Sequence, residues 1–215
     1  MDNIHTKIWY ASYGSNMQME RFLCYIRGGQ PKGRMDYYKG CRDKTPPEDN
    51  EELYITSRLY FAKKSKGWNN GGVGFISNEF NSKNQTLARM YLITKEQFTD
   101  VIKQETKYDG ELTIDFDKCA KNGSLVFKDP SWYGNLIYLG EQYGKSIFTF
   151  TSKIDFSDQI NKPNDSYLKT IIEGIKETFP NFNEDDICEY LLPIEGINNH
   201  YNEEQLINLI TANYS

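Results

Sequence analysis

The sequence predicts an α+β fold: a mixed, strongly curved β-sheet or barrel with flanking helices, followed by further helices near the C-terminal end. Three observations carry this reading. Strand-like runs recur from Lys7 to Thr151, each bounded by turn residues. Helical periodicity takes over after Thr151, at Leu168, Ile171, Ile172 and Ile175. One short helical stripe, at Phe98, Val101 and Ile102, interrupts the strands, so helices flank the sheet as well as follow it.

Taken in order, Lys7 to Ser12 reads as a strand and runs into the turn Tyr13-Gly14-Ser15. A helix is predicted next, with Met19, Phe22, Leu23 and Ile26 on one face, a Ser15–Gln18 capping box at its start and Gly28-Gly29 at its end. Residues 33–52 form a polar insertion with two prolines, read as a long surface loop. Strands are then expected at Leu53–Phe61, Gly72–Ile76, Thr86–Ile93, Glu111–Phe116, Ser124–Phe127, Asn135–Leu139 and Ile147–Thr151. A helix from Thr94, with Gln97 as capping-box partner, separates the third from the fourth of these. Helices close the chain at Ser166–Phe179, Glu184–Leu192 and Glu203–Thr211, the last two making a helical extension over 183–215. The patterning persists without an internal break, so one domain over 1–215 is expected.

Composition excludes several classes of function. A net charge of -5 spread over 215 residues gives no basic surface for a nucleic-acid polymer. No apolar run approaches the roughly 18 residues a membrane span needs, and no basic-then-apolar leader opens the chain. Four cysteines and two histidines are scattered without metal-ligand spacing, so no metal, no cofactor and a cytoplasmic protein with free thiols are expected.

Four features carry chemistry. The turn Tyr13-Gly14-Ser15-Asn16, between a strand and a helix, would aim backbone N–H groups at an anion; the plainer reading is a serine-capped tight turn. Glu105 continues the buried stripe of Phe98 and Val101, where a carboxylate is unusual and its pKa is expected to rise; the plainer reading is a helix-end residue reaching solvent. In Ser65 to Gly72, glycines flank Trp68, which could wall a pocket or simply pack a hairpin turn. Tyr167 follows Pro163 on the inner face of a helix, where its hydroxyl needs a partner; core packing is the plainer reading.

In this order, the four features resemble the γ-glutamylcyclotransferase-like (AIG2-like) family. The family's strand and Tyr-Gly-Ser-Asn loop is matched by Trp9 to Met17. Its Ser-x-x-Trp-x-Gly-Gly segment is matched by Ser65 to Gly72, with one extra residue. Its Gln-Glu pair at the end of a short helix is matched by Gln104-Glu105, and its Pro-x-x-Tyr helix is similar to Pro163 to Tyr167. The resemblance runs from about Lys7 to Glu177. Three departures stand out: Thr106 where the family has glycine, the insertion at 33–52, and the unmatched stretch from Lys128 to Gly144.

The resemblance implies an enzyme that converts a γ-glutamyl amide or peptide to 5-oxoproline and a free amine without a cofactor. Glu105 would be the general acid/base; Tyr13, Gly14, Ser15, Asn16, Trp68 and Tyr167 would bind the substrate, with the loop facing Glu105 across a small-molecule pocket. The partner would be a small molecule bearing a carboxylate or other anionic group. The competing reading is a non-catalytic pocket protein that binds or sequesters a small anionic metabolite or nucleotide. The enlarged loop and Trp132-Tyr133 motivate that reading. A third is a protein-interaction domain using the C-terminal helices.

Overall fold

Strand β1 (Lys7–Ser12) is buried at every residue from Ile8 onward, as expected of a central strand covered on both faces rather than one with a wet side. The structure, a computed structural model, describes residues 4–31 and 36–212. It divides into two compact units, one of residues 1–12, 19–53 and 89–154 and one of residues 13–18, 54–88 and 155–215.

The first unit is built on the six-stranded sheet. Its strands are β1, β2 (Asn50–Ile55), β5 (Thr86–Thr94), β6 (Ser124–Val126), β7 (Asn135–Gln142) and β8 (Lys145–Thr151), in the order β2-β5-β1-β8-β7-β6. β1 pairs antiparallel with β5 from Lys7↔Thr94 to Ser12↔Arg89, and parallel with β8 at Trp9↔Ile147. The sheet is mixed and open; it does not close into the expected barrel. Its edge strand β6 is only three residues long and half wet, too short to take up a ladder with the far edge.

Three helices belong to this unit: α1 (Met19–Arg27), α2 (Lys95–Glu105) and α3 (Phe116–Asn122). α2 starts as predicted, with Gln97 N donating to Thr94 Oγ1 at 3.1 Å and Thr94 N donating to Gln97 Oε1 at 3.0 Å. Phe98, Val101 and Ile102 are fully buried against Phe22 and Ile26 of α1 in one continuous core. Leu112, Ile114 and Phe116 alternate inward, yet the strand expected over Glu111–Phe116 does not form. Asp115 caps α3 by accepting from Lys118 N, which turns the chain into a helix at Phe116.

The insertion differs from expectation in its second half; residues 33–35 lie outside the described residues. Instead of a free surface excursion, residues 36–49 are strapped along α2. Gln97 Nε2 donates to the carbonyls of Asp43 and Thr45 at 3.2 and 2.8 Å, Arg42 N donates to Asp100 Oδ2 at 2.9 Å, and Gly40 N donates to Gln104 Oε1 at 3.1 Å. Asn50 to Glu52 already belong to β2.

The second unit holds the two-stranded sheet of β3 (Ser57–Ser65) and β4 (Gly71–Phe80) and the helices α4 (Asp165–Thr178), α5 (Glu184–Leu191) and α6 (Glu203–Thr211). The run predicted as one strand from Leu53 to Phe61 is broken at Thr56 between β2 and β3. All three helices carry asparagine caps, at Asn164, Asn183 and Asn202. The α4 stripe of Leu168, Ile171, Ile172 and Ile175 is buried as predicted. Residues 213–215 of the predicted C-terminal extension lie outside the described residues.

Among the described residues no helix is long and apolar enough to cross a membrane, and no group of three or more His, Cys, Asp or Glu side chains is placed to hold a metal. The four cysteines are free thiols; burial pushes Cys119 up to about 12 and Cys41 higher still, while Cys24 is half-buried. With Ellman's reagent on the native protein, Cys24 is therefore expected to react first, with Cys41, Cys119 and the buried Cys188 following only on unfolding. Fast labelling of Cys41 or Cys119, read by peptide mass mapping, would contradict their placement.

Candidate active-site elements

Of the residues singled out by sequence, Glu105 lies in the first unit. Tyr13, Gly14, Ser15, Asn16, Trp68 and Tyr167 lie in the second.

Glu105 is the last residue of α2 and half-buried, so the stripe that sinks Phe98, Val101 and Ile102 has begun to surface there. Its neighbour Gln104 fixes this end of the helix, donating from Nε2 to the carbonyl of Tyr25 at 3.0 Å and accepting from Gly40 N. Around that junction sits a polar cluster that sequence reasoning missed. Arg21 Nη2 donates to the Tyr38 hydroxyl at 2.9 Å and to the Tyr25 hydroxyl at 3.5 Å, and Tyr25 Oη donates to Tyr38 Oη at 3.1 Å. The two phenol rings stand 4.1 Å apart.

Burial works against the charge on Arg21, yet Tyr25, Tyr38 and the carboxylate of Glu105 outweigh it and hold the guanidinium above its ordinary value. Burial first, then the negative charge of Glu105, pushes the Tyr25 hydroxyl well up; burial likewise raises Tyr38, with Arg21 opposing and Glu105 adding. The one sequence signal for this cluster was the Arg21–Tyr25 spacing of four on α1, one helical turn apart beside the apolar stripe. Tyr38 had no such signal, because it sits in the polar insertion.

The departure at Thr106 leaves the helix end intact. Thr106 has φ -89° and ψ 0°, a conformation open to any residue, and its hydroxyl donates to Ile102 O at 2.8 Å. The left-handed residue that turns the chain is Lys107, at φ 48°.

In the second unit, Tyr13 to Gln18 form a turn. The structure corrects the predicted start of the following helix: Ser15–Met17 make a single 3₁₀ turn without a side-chain cap, and Gln18 is extended at φ -72°, ψ 119°. α1 begins afresh at Met19, so the expected Ser15–Gln18 capping box does not form. Met17 N donates to Gly14 O at 3.0 Å. Tyr13, Ser15 and Asn16 are all buried.

Tyr167, 4% exposed, stands beside this turn. Its hydroxyl accepts from Gly74 N at 3.1 Å, and a Cβ added at Gly14 would lie 3.3 Å from the same oxygen. Trp68 packs on Tyr167 with ring centroids 4.6 Å apart, and Phe61 meets it edge-on at 6.1 Å. The segment around Trp68 is a 3₁₀ turn (Lys66–Trp68) followed by Asn69 and Asn70, both left-handed, which closes the β3–β4 hairpin.

These features define a class of fold that comparison with known proteins makes specific. No protein-family model matches the sequence. Two solved structures are similar over 94% of this chain at a TM-score of 0.50: a human protein described as uncharacterized, 17% identical over 98% of its chain, and a gamma-glutamyl cyclotransferase, 16% identical over 99% of its chain. The chain has the γ-glutamylcyclotransferase-like fold. It is also 37% identical over 186 residues to Histone deacetylase 5 of Arabidopsis thaliana, a match covering 79% of this chain. The matched region spans 28% of that protein's length.

The Arg21 cluster sets an expectation for alkaline pH. Tyr25 and Tyr38 keep their protons in the folded state at a pH where unfolded tyrosines, with pKa about 10, have lost them. A raised folded pKa contributes stability that is fully present below about pH 10 and lost as pH rises through the folded values. Absorbance at 295 nm followed beside circular dichroism is expected to show a late fraction of the 16 tyrosines ionising only with unfolding. Complete ionisation before any change in dichroism would contradict it.

Proposed function

We propose that the protein is a γ-glutamylcyclotransferase-type enzyme, converting a γ-glutamyl amide or peptide to 5-oxoproline and a free amine. The observation that carries this reading is Glu105 at the end of α2, beside the Gln104 that ties α2 to α1, in a chain with the γ-glutamylcyclotransferase-like fold. In this reaction the substrate's α-amino nitrogen attacks its own γ-carbonyl carbon. The new C–N bond closes the five-membered lactam as the old amide C–N bond breaks.

The protein then needs no nucleophile. Glu105 takes a proton from the α-ammonium and returns it to the departing nitrogen as the amide C–N bond breaks; the second proton that the attacking nitrogen loses on becoming the lactam N–H goes to the released amine, which leaves as its ammonium. The backbone N–H groups of Tyr13 to Asn16 hold the α-carboxylate, and Trp68 and Tyr167 shape the binding surface behind that turn. Orientation supplies most of the remaining rate, because ring closure is intramolecular once the chain is folded back. No cofactor enters the scheme, and the reaction belongs to a cytoplasmic enzyme of γ-glutamyl or glutathione metabolism.

A second reading has its own support: a non-catalytic protein that binds or sequesters a small anionic metabolite or nucleotide. The strapped insertion brings the Tyr38 hydroxyl to the buried guanidinium of Arg21, giving this chain a cationic, phenol-lined cluster in the part of its sequence that departs from the family pattern. The two readings separate in one experiment. Incubation with γ-glutamyl peptides and amines, followed by mass spectrometry, is expected to show 5-oxoproline with wild type and a loss of roughly 10²-fold to 10⁴-fold with Glu105→Gln. Full activity in Glu105→Gln would remove the enzyme mechanism. Absence of product, with a bound anion surviving the substitution, would establish the second reading.

A further inference from the structure

Helix α4 reaches the Tyr13–Gln18 turn at two points. The first is Tyr167, whose hydroxyl accepts from Gly74 N at 3.1 Å and would stand 3.3 Å from a Cβ at Gly14. The second is Gly174, where a Cβ would fall 2.5 Å from Met17 Cβ, 2.7 Å from Gln18 N and 2.8 Å from the Met17 carbonyl carbon. Two of those three atoms are backbone, so no side-chain rotation relieves the overlap, and any residue larger than glycine must displace the turn or the helix.

Seven residues separate the two points, two helical turns, so both lie on one face of α4 about 10 Å apart. That spacing matches the two ends of the turn: Tyr167 meets it at Gly14 and Gly174 meets it at Met17-Gln18. The turn has little structure of its own. Its own backbone is one 3₁₀ turn followed by the extended Gln18, with internal bonds from Met17 N to Gly14 O at 3.0 Å and from Gln18 N to Ser15 O at 3.3 Å. An isolated turn of this kind is marginal, and its single conformation must come from what it packs against.

We propose that Tyr167 and Gly174 are positioning residues, a two-point seat on α4 that fixes the backbone of the Tyr13–Gln18 turn. The hydroxyl of Tyr167 acts through the turn, as a spacer between Gly14 and the amide of Gly74. The consequence for turnover rests on the proposed reading of that turn as the cradle of the substrate α-carboxylate: a displaced cradle weakens substrate binding more than it slows the chemical step.

Tyr201 supplies the control. Its hydroxyl serves the start of this helix, donating to Asp165 Oδ1 at 2.5 Å with Pro163 O 3.2 Å away. The experiment is hydrogen exchange by mass spectrometry on full-length wild type, Tyr167→Phe, Gly174→Ala and Tyr201→Phe, combined with 5-oxoproline kinetics on γ-glutamylalanine. The amides of Met17 and Gln18 are expected to exchange at least tenfold faster in Tyr167→Phe and Gly174→Ala and unchanged in Tyr201→Phe. KM is expected to rise about tenfold in the first two with kcat within threefold.

Unchanged exchange at Met17 and Gln18 in Tyr167→Phe, which removes one oxygen and leaves the ring packed on Trp68, overturns the seat, and so does an unchanged KM beside faster exchange. Should Gly174→Ala not fold, Tyr167→Phe alone decides. A wild type that releases no 5-oxoproline overturns the proposed reaction instead, while the exchange measurement still supports or overturns the seat.

Discussion

The first unit depends on the ring of Tyr10. It sits in the middle of β1, between the antiparallel partner β5 and the parallel partner β8, and it meets rings from both of those strands and from α1 and α2. Phe98 of α2 is 5.0 Å away between ring centroids, Phe22 of α1 5.5 Å, Phe150 of β8 5.6 Å and Tyr91 of β5 6.4 Å. Each such pair contributes about 0.5–1.5 kcal/mol beyond the burial of its area. More consequential is the geometry: rings from both helices meeting one ring from the sheet set where α1 and α2 lie against each other. The bond from Gln104 Nε2 to the Tyr25 carbonyl, and with it the position of Glu105, follows from that packing.

The same helix shows how a polar insertion becomes ordered without secondary structure of its own. Gln97, Asp100 and Gln104 recur at intervals of three and four on α2, so they form one polar edge beside the apolar stripe. Their side chains take the backbone groups of residues 40–45 that no ladder satisfies. Arg42 adds its guanidinium to Asp100 and Glu96. The insertion then delivers Tyr38 to Arg21, and a buried cation that would be costly alone is surrounded by two phenol oxygens and the field of a carboxylate.

What the sequence made legible was local. The Thr94–Gln97 box, the α2 stripe from Phe98 to Ile102, the glycine stop after Arg27 and the face of α4 each depend on residues within two turns of one another and stand as read, while Glu105, read as the next buried position, is only half-buried. What it hid was pairing at a distance. The open sheet depends on how short β6 is, and the inward alternation of Leu112, Ile114 and Phe116 looked like a strand because alternation reports burial and not a partner. Ser15 and Gln18 had the residue types of a capping box, but extended geometry at Gln18 separates that turn from α1. Of the candidate site residues, the turn, Trp68 and Tyr167 are brought together; Arg21 and Tyr38 escaped notice because their partnership spans 17 residues and passes through a segment that reads as solvent-exposed.

The departure at Thr106 shows how much substitution this architecture absorbs. A glycine is required after a helix only where the backbone must become left-handed or where another chain segment approaches too closely for a Cβ. Here the left-handed position falls one residue later, at Lys107, and Thr106 keeps helical dihedrals while its hydroxyl bonds back to Ile102 O. Its own carbonyl accepts from Lys128 Nζ at 2.9 Å. The end of α2 is therefore finished by side chains, and Glu105 keeps its place at the last turn without the glycine. The proposed ring closure asks the protein for orientation and one proton carrier, and a helix end finished in this way holds Glu105 for that role by side-chain bonds to neighbouring carbonyls rather than by a glycine turn.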